Sequence, residues 1–386
     1  MRIAYYCQHV LGIGHFHRSL EICRALSERH QVRLITGGPP APGMPDTIGL
    51  FQLPGLRMDS QFQNLAPCEP GRTLEETREE RRNLLMSFFT EYRPEVFVVE
   101  LYPFGRKAFR FELDPVLAAI REGTLPPCKC YVSLRDILVE RPDDRDRFEN
   151  RVVTTLNRFF DGLLIHSDPT IISLEETFGR VGDIAVPVAY TGFITPQVAK
   201  NARAEIRNRC KLTDEERLIV VSIGGGNVGS ELVSGAIEAF RLLADNSSYH
   251  MQIFTGPYFE QEMFAKLSAG LPPRLRLDRF TDVFPDWLQA ADLSVSMAGY
   301  NTCMNIVQAG VPALVYPFGQ NREQILRATK LRQKATIRIL GPAELQAEPL
   351  AALIREMSNR PRYPATINLD GATGSRQQIE FWCGAR

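Results

Sequence analysis

The chain has 386 residues, more than one ordinary hydrophobic core takes, and this implies two domains. Hydrophobic residues make up 44% and charged residues 23%, a balance that excludes a disordered chain. Lys plus Arg and Asp plus Glu each number 45, so the zero net charge lacks the basic excess of a nucleic-acid binder and leaves open only a local patch for an anionic membrane.

The opening segment, MRIAYYCQHVLGIGHF, lacks a charged stretch followed by a long apolar run, so it reads as a strand rather than a leader. Apolar runs at residues 2–7, 32–36, 96–99, 131–134 and 163–166 read as buried strands. Residues 20–29, 74–92, 148–160 and 171–178 read as helices between them. Strands without alternation, separated by helices, imply a parallel sheet covered on both faces. Residues 37–71 are rich in Pro and Gly and read as a long binding loop or lid. The apolar residues in it, among them Ile48, Leu50, Leu53, Leu56 and Phe62, suit either a lipid-linked acceptor or the core.

The pattern restarts in the second half. Strands are expected at 217–223, 250–254, 275–279, 293–296 and 313–316, with helices at 230–243 and 303–309. The segment 186–200, with two prolines and a glycine, marks a boundary. The expectation is α/β: two Rossmann-like, doubly wound domains at 1–192 and 193–374, with a weak helix at 375–386 packing back on the first. The carboxyl ends of both sheets then carry the binding loops, facing a central cleft. No run reaches the ~18 apolar residues of a spanning helix. The eight cysteines do not form a disulfide scaffold: Cys7, Cys23 and Cys303 read as core, and Cys128-x-Cys130 has no second pair for zinc. A reducing, cytoplasmic setting is expected.

Five clusters suit chemistry. Gly12, Gly14, His15, His17 and Arg18 follow the first strand and open a helix. Glycines there let backbone approach a ligand, but G-x-G-x-x-G is not met, so a dinucleotide is not indicated. His15 suits a general base, or simply a helix cap. Glu100 ends the strand 96–99 on the same sheet edge and is either the group that orients His15 or a surface carboxylate. Gly224, Gly225 and Gly226 follow the strand 217–223 and suit an anion or a bare turn. Ala298, Gly299, Tyr300, Asn301 and Thr302 deliver the chain into a helix N-terminus, a phosphate site or an ordinary cap. Asn321, Arg322, Glu323 and Gln324 suit sugar hydroxyls or a polar first turn. Asp144-Arg145-Asp146 has the spacing of a metal–diphosphate motif, but its charge-rich surroundings read as a solvated helix start.

In order and spacing, these clusters resemble the GT-B glycosyltransferases, especially the MurG-like branch with the family 28 C-terminal domain. The resemblance is carried by LGIGHFHR, SLRD, YTGF, SIGGG, RFTDVFPDWLQAADLSVSMAGYNT, AGVPALVYPF and REQ, and covers nearly the whole chain. It implies a metal-independent, cofactor-free, inverting transferase that takes a nucleoside-diphosphate sugar, most simply a UDP-sugar. The partner would be an acceptor hydroxyl, lipid-linked in some relatives, reached through peripheral membrane contact. His15 would be the base, with Glu100 where relatives carry Asp, and Gly12, Gly14, His17 and Arg18 on the acceptor side. Phe280 and Thr281 would edge the nucleobase. Gly299 to Thr302, with Gly224, Gly225 and Ala298, would hold the diphosphate, and Glu323 and Gln324 would meet the sugar. Asn305 departs from the pattern: a Glu that grips both ribose hydroxyls usually stands there, and an amide lacks its charge-assisted strength. Sugar-nucleotide hydrolases or epimerases of the same fold, and a non-catalytic sugar-nucleotide binder, are the competing expectations.

Overall fold

A computed structural model describes residues 1–8, 14–38, 44–58, 64–138, 144–243, 248–319 and 322–384. The chain divides into two compact units, one of Met1–Ile194 with Asn368–Arg386 and one of Thr195–Ile367. The first contains β1 (Arg2–Tyr6), α1 (Gly14–Ser27), β2 (Gln31–Thr36), β3 (Gly49–Gln52), β4 (Leu56–Met58), β5 (Leu65–Pro67) and α2 (Leu74–Tyr92). It continues with β6 (Val96–Glu100), α3 (Arg110–Glu122), β7 (Lys129–Arg135), α4 (Arg145–Phe159), β8 (Gly162–His166) and β9 (Val188–Tyr190). The second contains α5 (Ala202–Cys210), β10 (Arg217–Ser222), α6 (Ser230–Arg241), β11 (Tyr249–Phe254), α7 (Gln261–Ser268), β12 (Leu275–Asp278) and α8 (Phe284–Ala290). It closes with β13 (Leu293–Met297), α9 (Tyr300–Ala309), β14 (Ala313–Tyr316), α10 (Arg322–Leu331), β15 (Ile337–Ile339) and α11 (Ala347–Met357). The last helix, α12 (Gly371–Trp382), belongs to the first unit.

Both large sheets are parallel throughout. The first runs β3-β2-β1-β6-β7-β8-β9 and the second β12-β11-β10-β13-β14-β15. In each, the order reverses beside the first strand, between β1 and β6 and between β10 and β13. Crevices for ligands open at such reversals, beyond the carboxyl ends of the strands. The strand sequences explain the burial. β6 (VFVVE), β8 (GLLIH) and β13 (LSVSM) are buried at every residue, as a sheet covered on both faces requires.

Successive residues of β1 and β6 enter opposite layers of core. Tyr6, Phe97 and Val99 pack with Phe89 of α2, Leu113 and Leu117 of α3 and Val152 of α4. Ile3, Tyr5, Val96 and Val98 pack instead with Phe16, Leu20 and Leu26 of α1 and Ile379 of α12. Each such fully buried apolar side chain contributes on the order of 1.5–3 kcal/mol. Thr73 and Glu76 form a reciprocal cap at the start of α2, as T-x-x-E foretells, and such caps contribute about 1 kcal/mol.

Residues 37–71 are more structured than a loop. β3 joins the sheet edge, β4 and β5 form an antiparallel pair, and Ile48, Leu53 and Leu56 are buried. Leu50 alone among the described members of that apolar group is well exposed, and Phe62 lies outside the described residues. The segment is pinned by fully buried Arg81. Its Nε and Nη2 donate to Glu112 at 2.8 and 2.6 Å, and its Nη1 donates to the carbonyls of Gly37 and Pro54 at 3.2 and 2.6 Å. Breaking such a pair by removing one partner costs about 3–5 kcal/mol. The helix expected at 171–178 is only a turn of 3₁₀ at Leu174–Glu176: Asp168 and Ser173 draw the local N–H groups into short turns instead. The charged run 144–146 does open a helix, α4.

Candidate active site

In the first unit, His15 stands in the first turn of α1 and Glu100 is the last residue of β6. β1 and β6 are neighbours, with Tyr6 level with Val99, so both side chains reach the reversal point of the sheet. His15 Nδ1 lies 2.6 Å from Glu100 Oε1 and donates its proton to it. Arg18, one turn along α1, donates from Nη2 to the same oxygen at 2.7 Å. Glu100 and Arg18 are buried at 1% and 4% exposure, whereas His15 keeps 25%. Gly14 begins α1 exposed, His17 sets its ring edge-on to Phe16 at 5.8 Å, and Gly12 lies outside the described residues.

Burial by itself would raise the Glu100 carboxyl, but His15, Arg106 and Arg18 outweigh it and hold it well below the usual carboxylate range. Burial also brings His15 down to about 4, with Arg106 and Arg18 adding to the effect and Glu100 opposing it. At neutral pH the imidazole is therefore neutral and the carboxylate ionised. Nδ1–H is fixed on Glu100, and Nε2 keeps its lone pair for a proton.

Sequence reasoning assigned no site role to Arg106, nor to the buried group of Tyr5, Ser133, His166 and Thr191. Arg106 approaches Glu100 Oε2 through Nε at 3.7 Å. It ends a segment in which Leu101 and Arg106 both have left-handed backbones, with φ of 67° and 55°. For non-glycine residues this costs on the order of 1–3 kcal/mol each and clusters at functional sites. Beneath the pair, fully buried His166 of β8 accepts from Ser133 Oγ at Nε2 (2.6 Å) and donates from Nδ1 to Thr191 Oγ1 (2.9 Å). Tyr5 donates to Ser133 Oγ at 2.8 Å, which fixes the direction of the chain. Burial lowers His166 to about 3, so it stays neutral and structural. Only the folded arrangement brings Tyr5, Ser133 and His166 together.

In the second unit the reversal point is furnished with backbone. Gly224 and Gly226 have φ of 71° and 94°. A Cβ on Gly226 would meet Thr255 O at 2.6 Å, so only glycine lets the two loops touch. Gly225 O accepts from Tyr258 N at 3.0 Å. Beside it, β13 ends and α9 begins at Tyr300, capped by Gly299 with no side-chain cap and no acidic residue in the first turn. Such an end carries partial positive charge and attracts anions. Asn301 and Thr302 lie half-buried in that turn. Ala298 O accepts from Nη1 of buried Arg327 at 3.3 Å, whose guanidinium lies 5.5 Å from the Tyr300 ring. Arg327 comes from α10, so the helix bearing Glu323 braces the α9 turn. Sequence reasoning missed it, although it falls one turn after Glu323.

Other second-unit residues have mixed positions. Gln324 Oε1 accepts from Phe318 N at 3.0 Å, so its carbonyl holds the turn after β14. Glu323 is half-buried in the first turn of α10, and Asn321 lies outside the described residues. Phe280 is 43% exposed after β12, and Thr281 Oγ1 accepts from Val283 N at 3.3 Å. Asn305 is 7% exposed and its Oδ1 is buried without a hydrogen bond.

Residues 220–377 match the glycosyltransferase family 28 C-terminal domain, from within β10 into α12. A relative from Opitutus terrae, a UDP-N-acetylglucosamine–N-acetylmuramyl-(pentapeptide) pyrophosphoryl-undecaprenol N-acetylglucosamine transferase, is 25% identical over 48% of this chain and 47% of its own. Its namesake from Salinibacter ruber is 29% identical over 37% and 39%. The chain thus spans about half the length, or less, of the curated relatives it matches. Among solved structures, the glycotransferase of kitacinnamycin aligns over 100% of this chain and 95% of its own, with a TM-score of 0.61 at 16% identity. The calicheamicin glycosyltransferase aligns over 99% and 98% (TM-score 0.61, 13% identity), and Acinetobacter baumannii MurG over 97% and 94% (0.53, 16%). The chain has the fold of the GT-B glycosyltransferases, and within it residues 220–377 match the glycosyltransferase family 28 C-terminal domain.

Proposed function

We propose that this protein is an inverting, metal-independent glycosyltransferase that moves a sugar from a nucleoside-diphosphate donor to an acceptor hydroxyl, without a cofactor. The observation that carries the reading is the His15–Glu100 pair: a neutral imidazole, oriented through Nδ1 by an ionised carboxylate, at the reversal point of its sheet. His15 Nε2 takes the acceptor proton as the oxygen attacks the anomeric carbon. The bond from that carbon to the diphosphate breaks, and its electron pair leaves on the diphosphate. Glu100 stabilises the imidazolium. Attack opposite the leaving group inverts the anomeric configuration.

The second unit supports the donor half. Gly299 and the uncharged first turn of α9 suit the diphosphate, as do Gly224 and Gly225. Stabilising the departing charge in this way is commonly worth about 3–4 kcal/mol. Phe280 and Thr281 suit the base, and Glu323 with the amide nitrogen of Gln324 suits the sugar. A UDP-sugar is the first choice, because the relatives above are named for UDP-N-acetylglucosamine. Asn305, in place of Glu, weakens the ribose contact that would favour it. The same names point to a pyrophosphoryl-lipid acceptor, hence to work at the cytoplasmic face of a membrane. Among the described residues no helix is long and apolar enough to cross one.

A thermal-shift screen across UDP, GDP, ADP and dTDP tests the donor half, since a ligand that binds only the folded chain raises its Tm. The reading expects one diphosphate to stabilise well beyond its base-matched monophosphate. No response to any diphosphate would refute it.

A further inference from the structure

We propose that Tyr258 makes the second unit select nucleotides over other diphosphates: its ring stacks on the nucleobase and adds a second aromatic surface to that of Phe280. The inference deepens the transferase reading and rests on it for the presence of a nucleoside diphosphate. The neighbouring strands β10, β11 and β12 end in loops that leave large apolar side chains in water. These are Val228 after β10, Tyr258 after β11, and Phe280 and Val283 after β12, and their exposures lie between 39% and 48%. Apolar surface grouped in this way marks an interaction site.

Backbone contacts fix where the Tyr258 ring stands. Its N–H donates to Gly225 O, and a Cβ on Gly225 would meet Tyr258 Cδ2 at 3.8 Å, so the ring edge rests on the glycine loop that suits the diphosphate. The residues around it are tied to Arg279, which precedes Phe280. Gly256 N–H donates to Arg279 O at 2.7 Å, and Arg279 Nη1 donates to Phe259 O at 2.6 Å. Gly256 has a φ of 88°, and a Cβ there would meet Gly224 O at 2.3 Å, so only glycine lets this loop lie on the one after β10. Phe259 is buried, and Glu260 caps α7 by accepting from the N–H groups of Glu262 and Met263 at 2.7 and 2.6 Å. The backbone of Tyr258 is thus held between the glycine loop and the segment that carries Phe280, with 48% of the residue left to solvent. A nucleoside diphosphate whose charged end lies on Gly224, Gly225 and the start of α9 has one flat part left to place, the base. An aromatic face stacks on any base, because every base has a π-face, and it takes no account of the hydrogen-bonding edge. Tyr258 would therefore strengthen all nucleoside diphosphates and leave the choice among bases to groups at their edges.

The test is calorimetry of the full-length chain with UDP, GDP, ADP and dTDP, and with inorganic pyrophosphate as a probe that has no base. Wild type is compared with Tyr258→Ala and Tyr258→Phe. Tyr258→Ala should weaken every nucleoside diphosphate that wild type binds by about 10-fold or more, and pyrophosphate not at all. Tyr258→Phe keeps the aromatic face and should stay within about twofold of wild type. The side chain is half exposed, so the Tm of both variants without ligand should match that of wild type. Unchanged affinity in Tyr258→Ala overturns the proposal and leaves the transferase reading intact. Equal losses in Tyr258→Phe and Tyr258→Ala assign the effect to the hydroxyl and overturn stacking. A loss of the same size for pyrophosphate, or a lowered Tm, makes Tyr258 a support of the glycine loop and also overturns it. If wild type binds none of the four nucleotides, the transferase reading falls and the proposal falls with it.

Discussion

The two units repeat one strand order, 3-2-1-4-5-6 counted within each sheet, to which the first adds β9 as a seventh strand at its edge, and they fill its reversal point in opposite ways. In the first, side chains do the work: an imidazole, a carboxylate and guanidinium groups are packed at the ends of β1 and β6, where burial keeps the imidazole neutral and the neighbouring cationic groups keep the carboxylate ionised. In the second, side chains are withheld: glycines and a helix start without a carboxylate line the ends of β10 and β13. A titrating site needs a dry wall to move pKa values, whereas an anion site needs backbone brought close. One scaffold serves both because its reversal point is open whatever stands there.

The largest effect that sharpens this contrast is expected from Glu100→Gln. The amide cannot hold the imidazole in the same tautomer with the same strength, so turnover should fall by about 10²–10⁴-fold while donor affinity is kept. Steady-state kinetics beside nucleotide calorimetry check it; equal loss of both would move Glu100 from chemistry to structure. In the second unit, Gly299→Asp separates stability from binding. Its φ is −67° and an added Cβ meets nothing within 4 Å, so the side chain fits. Asp is a better N-cap than Gly and should stabilise α9 by roughly a few tenths of a kcal/mol, yet it should weaken diphosphate binding by about 10–100-fold through charge repulsion. A variant that melts higher and still binds normally would remove the phosphate from this turn.

A smaller effect concerns Asn305. Asn305→Glu restores a charged acceptor for ribose hydroxyls and should tighten uridine nucleotides about tenfold. Unchanged or weaker UDP affinity in calorimetry would show that the base or the pose differs. The smallest effect is on stability against pH. His15 is depressed to about 4 from an unfolded value of about 6.5, so the unfolded chain takes up the proton first. The stability present above about 6.5 is therefore lost as pH falls toward about 4, and the depressed Glu100 continues the loss in the same direction. Thermal melts of His15→Gln should show a shallower decline between those values, and an identical slope would mean that the imidazole is not buried as described.

Much of this was legible in the chain. Apolar runs without alternation announced two parallel sheets, and the glycine-marked turns after β10 and β13 lie at the reversal point of the second. The failures have physical causes. β3 has half-exposed, mixed residues at a sheet edge, so no run marked it. α3 was missed because Pro115 lies inside it, where it breaks the expected pattern. Ile171, Ile172, Leu174 and Phe178 mimic a helical stripe but are buried from turns. Arg106 and His166 carry no motif at all; their meaning is their distance from Glu100 and Ser133, which only folding creates.

The central claim is that His15 is the base of a sugar transfer, and it meets its most direct test in one comparison. Wild type and His15→Ala are incubated with UDP-N-acetylglucosamine labelled in the sugar and a total lipid extract of bacterial membranes, and labelled lipid is counted. The account predicts label in lipid for wild type, and loss by about 10²–10⁴-fold in His15→Ala with the UDP-induced rise in Tm unchanged. Label transferred by His15→Ala at the wild-type rate, or released by wild type only as free sugar, would contradict it.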